Sequence, residues 1–309
     1  MRLSRRVAAV TPFAAEPARL DVEGVAVGYE GRTVFEGLTF RLEHGTRAAI
    51  VGPNGAGKST LFKALVGLLP LRAGRVLIHG LPLGSHLDCV AYIPQRENVD
   101  WNFPVTVRDV VTMGRYGHLH WLQRPSRRDR AIIDESLDRM GITELASRSI
   151  NELSGGQQQR VFLARALAQE PHIFLMDEPF NGVDRVTQDA TLELLDHLRE
   201  KDVTVLISTH DLNLAATRFD SVLLINHGLV AYGPPDEVLS EANLARAFGS
   251  SLLVKAGATL LVDECCPEGH HGCDDCDGYD GHVHEEPSAQ ASPDLGTSRR
   301  DLGASETLR

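Results

Sequence analysis

The chain has 309 residues, 42% of them apolar, enough to bury one core of roughly 200–250 residues plus tails, or two smaller cores. Its net charge of −11 is not spread evenly, because residues 256–298 hold ten acids and no Lys or Arg. Removing those ten from the 42 acids leaves 32 against 31 basic residues, so the body is near neutral and lacks the basic excess that nucleic-acid binding calls for.

Cysteine usage divides at the same place. Cys89 alone lies in the body, as expected for a reducing compartment, while Cys265, Cys266, Cys273 and Cys276 fall in the acidic segment. No apolar run reaches the ~18–20 residues needed to span a bilayer. Residues 1–19 open on a basic stretch, but Pro12, Glu16 and Pro17 interrupt the apolar run a signal peptide would need. A disordered leader is expected there, with a misassigned start codon as the alternative.

From Leu20, LDVEGVAVGYEGRTVFEGLTFRLEHG alternates apolar and polar residues with turn glycines at Gly31 and Gly45, predicting two or three antiparallel strands. TRAAIVG then reads as a buried strand and KSTLFKALVGLL as a helix. Between Thr106 and Ala168 the signals are mainly helical, including DRAIIDESLDRMG with Gly141 as its stop. Apolar strands return at 173–177 (IFLMD), 203–209 (VTVLIST) and 221–226 (SVLLIN), the first two linked by the helical TQDATLELLDHLRE. Such alternation implies an α/β fold with a parallel core sheet, an antiparallel N-terminal layer and a helical insertion. After about Leu261 periodicity stops, so the domain boundaries expected are a leader at 1–19, a folded domain at 20–261 with its helical subdomain at about 100–168, and a disordered acidic tail at 262–309.

Between the buried strand and the first helix stands GPNGAGKST, Gly52, Pro53, Asn54, Gly55, Ala56, Gly57, Lys58, Ser59 and Thr60, which matches G-x-x-x-x-G-K-[ST] in its proper context. Its glycines let backbone N–H groups converge on phosphate oxygens, Lys58 reaches the outer phosphates, and the Ser59 hydroxyl suits Mg²⁺. About 120 residues on, IFLMDEP places Asp177 and Glu178 at the end of an apolar strand, an unfavourable place for charge unless a metal or a reacting group uses it. Asp177 suits the Mg²⁺ shell and Glu178 the water that attacks a γ-phosphate. INELSGGQQQR, by contrast, reads locally as no more than a helix beginning near Gln157 and capped by Ser154.

Taken together these pieces resemble the ATP-binding cassette (ABC) family, a P-loop NTPase fold with a mixed core sheet and a helical signature subdomain, over residues 20 to about 250. The resemblance implies that Ser154, Gly155, Gly156 and Gln157 are the signature that completes the ATP site of the opposite subunit in a head-to-tail homodimer. It further implies that Tyr29 stacks on adenine, Gln95 touches Mg²⁺ and the attacking water, Asp184 lies on a loop at the dimer contact, and His210 is a switch residue beside Glu178 in the catalytic set. NGVD around Asp184 departs from the commoner SALD wording.

The stretch PQRENVDWNFPVTVRDVVTMGRYG, with EPFNGVD, is similar to cassettes of manganese, zinc and iron(II) importers. Trp101 and Phe103 within it could equally be core residues. The function implied is an ATP-hydrolysing subunit, peripheral on the cytoplasmic face of the cell membrane. It would work on two permease subunits served by an extracytoplasmic metal-binding protein, with no nucleic-acid partner. The alternatives are another cargo such as an iron–siderophore complex, or a soluble regulatory ATPase. In the tail, Cys265, Cys266, His270, His271, Cys273, Cys276, His282 and His284 offer enough soft and borderline donors for Zn²⁺ or a similar ion, against the alternative of a merely solvated acidic segment.

Overall fold

The computed structural model describes residues 19–29, 31–85, 87–95, 104–120, 123–249, 253–256 and 259–262. Residues 1–18 of the expected leader, Trp101, Phe103 and the tail from residue 263 lie outside them.

Strands β1 (Leu20–Tyr29) and β2 (Arg32–Leu42) pair antiparallel, as their alternation predicts. β3 (Arg47–Val51) runs into α1 (Lys58–Leu65), and the chain then returns along β4 (Ala73–Ile78), antiparallel to β1, and the short β5 (Leu81–Pro82). α1 stops four residues before the end of KSTLFKALVGLL because Gly67 takes a left-handed φ of 74°. A 3₁₀ turn at 87–89 precedes β6 (Val90–Ile93).

Three helices follow, α2 (Val107–Met113), α3 (Arg127–Arg139) and α4 (Gly155–Ala168). Each begins at a capping box, Thr106 with Asp109, Ser126 with Asp129 and Ser154 with Gln157, so polar pairs three residues apart set the three starts. After them come β7 (Ile173–Asp177), α5 (Arg185–Glu200), β8 (Thr204–Ser208), α6 (Leu212–Arg218), β9 (Ser221–Ile225), β10 (Leu229–Gly233), α7 (Pro235–Val238), α8 (Glu241–Phe248) and the hairpin of β11 (Leu253–Ala256) and β12 (Thr259–Val262).

The six-stranded core sheet has the order β10-β9-β3-β8-β7-β6, parallel throughout except for the antiparallel edge strand β10. The sheet is therefore mixed, and a separate antiparallel sheet, β2-β1-β4-β5, forms the N-terminal layer. Alternate residues of the central strands serve two cores. Ala48, Ile50, Ile173 and Leu175 join α1 and the antiparallel layer, whereas Ala49, Val51, Phe174 and Met176 join the helices on the other face. Phe62 of α1 is wholly buried between the two sheets, a contribution of about 1.5–3 kcal/mol. α1 is thus clamped from both sides, which fixes the loop that enters it.

Candidate active site

The loop between β3 and α1 can follow its path only because of its glycines. A Cβ on Gly52 would land on the Ile225 carbonyl oxygen, and Gly57, the N-cap of α1, holds φ at 100°. Gly57 supplies no side-chain cap, so the start of α1 points its backbone N–H groups and the positive end of its dipole toward the loop, a suitable seat for an anion. Lys58, the first residue of α1, is 6% exposed. Its ammonium donates to the carbonyls of Gly52 at 2.8 Å and Pro53 at 3.3 Å and lies 3.8 Å from the Glu178 carboxylate.

Strand β7 delivers the two acids. Asp177 is buried at the strand end, where its carboxylate accepts from the Ser208 hydroxyl at 2.6 Å. That same hydroxyl accepts from the Glu178 backbone N–H at 2.9 Å. The bond steadies Glu178 in a left-handed conformation, φ 50°, that a residue with a side chain adopts at some cost. Glu178 is turned by it out of the strand direction, and its carboxylate accepts from the Gln95 amide at 3.2 Å and from Asn181 at 3.3 Å. Gln95, just beyond β6, Lys58 of the loop and Glu178 therefore meet at one point, although 120 residues separate the outer two. Ser208 and Asn181 escaped the sequence reading. A serine closing the buried strand TVLIS was the available signal, since a polar group in that position needs a partner.

The family model described as ABC transporter matches residues 35–181. The chelated iron transport system membrane protein YfeB of Yersinia pestis is 44% identical over 279 residues, 88% of this chain and 94% of its own length. The manganese transport system ATP-binding protein MntA of Synechocystis sp. is 48% identical over 242 residues, 77% of this chain and 93% of its own. The chain belongs to the ABC transporter family, as one of its ATP-binding subunits. The solved structure of cbiO1 from Clostridium perfringens, part of the ABC transporter complex cbiONQ, superposes with a TM-score of 0.62 at 28% identity, covering 77% of this chain and 96% of that one.

As an ABC ATPase the chain binds ATP with Mg²⁺ and hydrolyses it. The Ser59 hydroxyl, the Asp177 carboxylate and the Gln95 amide are hard oxygen donors of the kind Mg²⁺ takes, so the donor set fits the ion. Tyr29 ends β1 with 45% of its surface exposed, open to a flat partner. His210 is exposed in the turn between β8 and α6, next to Asp211, which caps α6.

The residues expected to be the signature form a capped helix start. α4 begins at Gly155, two residues earlier than the glutamine run suggests, and the Ser154 N–H donates to the Gln157 side chain at 2.9 Å. Gly156 packs so closely against Asp184 that a Cβ would collide with the Asp184 carboxylate and the Thr187 hydroxyl. Asp184 itself caps α5 through the Thr187 N–H at 2.9 Å, and this bond, ahead of a second from the Thr187 hydroxyl, holds its carboxyl below the usual range. Gly156 and Asp184 are thus one packed unit within the chain, which spacing alone did not disclose.

Proposed function

We propose that this ABC ATPase drives the import of a divalent transition metal, manganese, zinc or iron(II). It would act as a homodimer on the cytoplasmic face of two permease subunits that receive the metal from an extracytoplasmic binding protein. The observation that carries the catalytic half is the meeting of Gln95, Lys58 and Glu178 at the end of β7. Glu178 would accept a proton from the attacking water, Gln95 would orient that water, and Lys58 would hold the outer phosphates. Ser59, Gln95 and Asp177 would hold Mg²⁺, which when bound would supply charge neutralisation at the transferring phosphoryl group. Tyr29 would take the adenine, His210 the γ-phosphate, and Ser154 to Gln157 the γ-phosphate of the opposite copy, with Asp184 at that contact.

The cargo half is supported by relatives named for manganese and chelated iron transport. Among the described residues no helix is long and apolar enough to cross a membrane, in keeping with a separate permease. For the tail, Cys273 and Cys276 with nearby histidines support binding of Zn²⁺ or a similar ion. Uptake of manganese, zinc, iron(II) and an iron–siderophore complex should be measured separately in a strain lacking this chain and in one restored with it. Restored uptake of one free divalent ion is expected. Restoration of the siderophore complex alone would replace the cargo, and association with ribosomes or DNA without a membrane partner would overturn the transport reading.

A further inference from the structure

Away from the loop that enters α1, three side chains that are far apart in sequence converge. His79 follows β4, Cys89 closes the 3₁₀ turn before β6, and His172 precedes β7. One donor atom from each lies within 4.8 Å of the other two. The two imidazoles stand at right angles with Nε2 of His79 and Nδ1 of His172 only 2.9 Å apart, so that one ring nitrogen donates to the other. We propose that His79, Cys89 and His172 form a binding site for a borderline-soft divalent transition metal of the Zn²⁺ or Co²⁺ kind, distinct from the Mg²⁺ of the nucleotide site.

Donor chemistry selects the class of ion. Two imidazoles and a thiolate match the ligands of Zn²⁺ and poorly suit Mg²⁺, Ca²⁺ or Mn²⁺, which prefer oxygen. A metal would take the place of the proton shared by the two rings, and three protein ligands would leave the fourth tetrahedral position for water or another donor.

The carriers of these ligands are already fixed by backbone bonds. The His172 N–H donates to the Cys89 carbonyl at 2.8 Å, the His172 carbonyl accepts from Thr204 at 3.0 Å, and the His79 N–H donates to the Arg19 carbonyl at 3.2 Å. Such preorganisation lowers the ordering cost that a site on loose loops would meet. A cavity of about 380 Å³, lined in part by His172, Arg19 and Asp202, provides an approach. The nearby guanidinium of Arg19 does not rule the site out. Arg19 Nη1 lies 3.5 Å from His79 Nε2, but Arg19 Nη2 is bound to the Asp202 carboxylate at 3.1 Å, so the pair is formally neutral.

The proposal is independent of the cargo, and its test involves no transport. Full-length chain would be titrated with Co²⁺ alone in a background where the eight tail donors (Cys265, Cys266, Cys273 and Cys276 to Ser, and His270, His271, His282 and His284 to Asn) are replaced. Binding of one ion with a thiolate-to-cobalt charge-transfer band is expected. Cys89→Ser should abolish the band, and the exposed His172→Asn should weaken binding by more than about tenfold, while both keep ATP hydrolysis as proof of folding. No cobalt bound in the tail-substituted chain, or an unchanged band in Cys89→Ser, would overturn the site and leave a plain hydrogen-bonded cluster.

Discussion

At the scale of single residues, the proposed chemistry rests on how Glu178 is presented. Its left-handed backbone and its bond to Ser208 swing the carboxylate out of the strand and toward Gln95, whereas the preceding Asp177 stays buried. Two adjacent acids therefore occupy two environments and are suited to two tasks. Glu178→Gln preserves shape and an acceptor oxygen but cannot take a proton, so turnover should fall by ~10² to 10⁴ while ATP binding persists. Single-turnover hydrolysis and nucleotide-binding assays separate those effects, and near-normal turnover would assign the base elsewhere. Lys58, Asp177 and Glu178 were legible in the sequence because charge beside a glycine loop or at the end of an apolar strand demands a reason. Ser208 was not read, because its need for a partner shows in the strand TVLIS but the partner, Asp177 on β7, is set by strand pairing. Cys89 was read only for its compartment, because its two histidine neighbours come from segments 10 and 83 residues away and form no motif.

At the scale of elements, one buried guanidinium joins the helical subdomain. Arg115, just past α2, donates to Asp129 in the first turn of α3 at 3.0 Å, to the Ala168 carbonyl at the end of α4 at 2.8 Å and to Glu170 at 2.9 Å. Asp129 also completes the Ser126 capping box. Those Ser126 bonds first, and Arg115 after them, hold its carboxyl down at about 2, below the ordinary 3.8. Ionised Asp129 therefore stabilises the fold above pH 3.8, and that contribution is lost as the pH falls toward 2. Asp129→Asn should cost about 1–3 kcal/mol near neutrality, with the gap from the parent chain closing in acid, as thermal melts across pH would register. An equal gap at pH 2 and pH 7 would place the effect in packing instead. Helical periodicity made α3 and α5 readable, but β4 and β6 were passed over. Runs of four to six residues carry too little periodicity, and it is the neighbouring strand that makes them strands.

At the scale of the whole molecule, the proposed ATP site is divided between copies. Ser154 and Gly156 face a nucleotide only if a second cassette supplies one, so Ser154→Arg should leave each monomer able to bind ATP while hydrolysis drops to background. Equilibrium binding and steady-state turnover on the same preparation would decide it, and undiminished turnover would mean that one cassette suffices. The layered α/β plan was visible from the strand and helix alternation, while the pairing of β4 with β1 across the intervening helix was not, since no local signal fixes long-range register.

The tight seat of Gly156 on Asp184 leaves a joint without slack. If a partner's nucleotide draws the signature forward, the start of α5 has to follow, because no free space lies between them to absorb the motion. Two cassettes linked through such joints would feel each other's occupancy, so the second ATP would bind to a dimer already altered by the first.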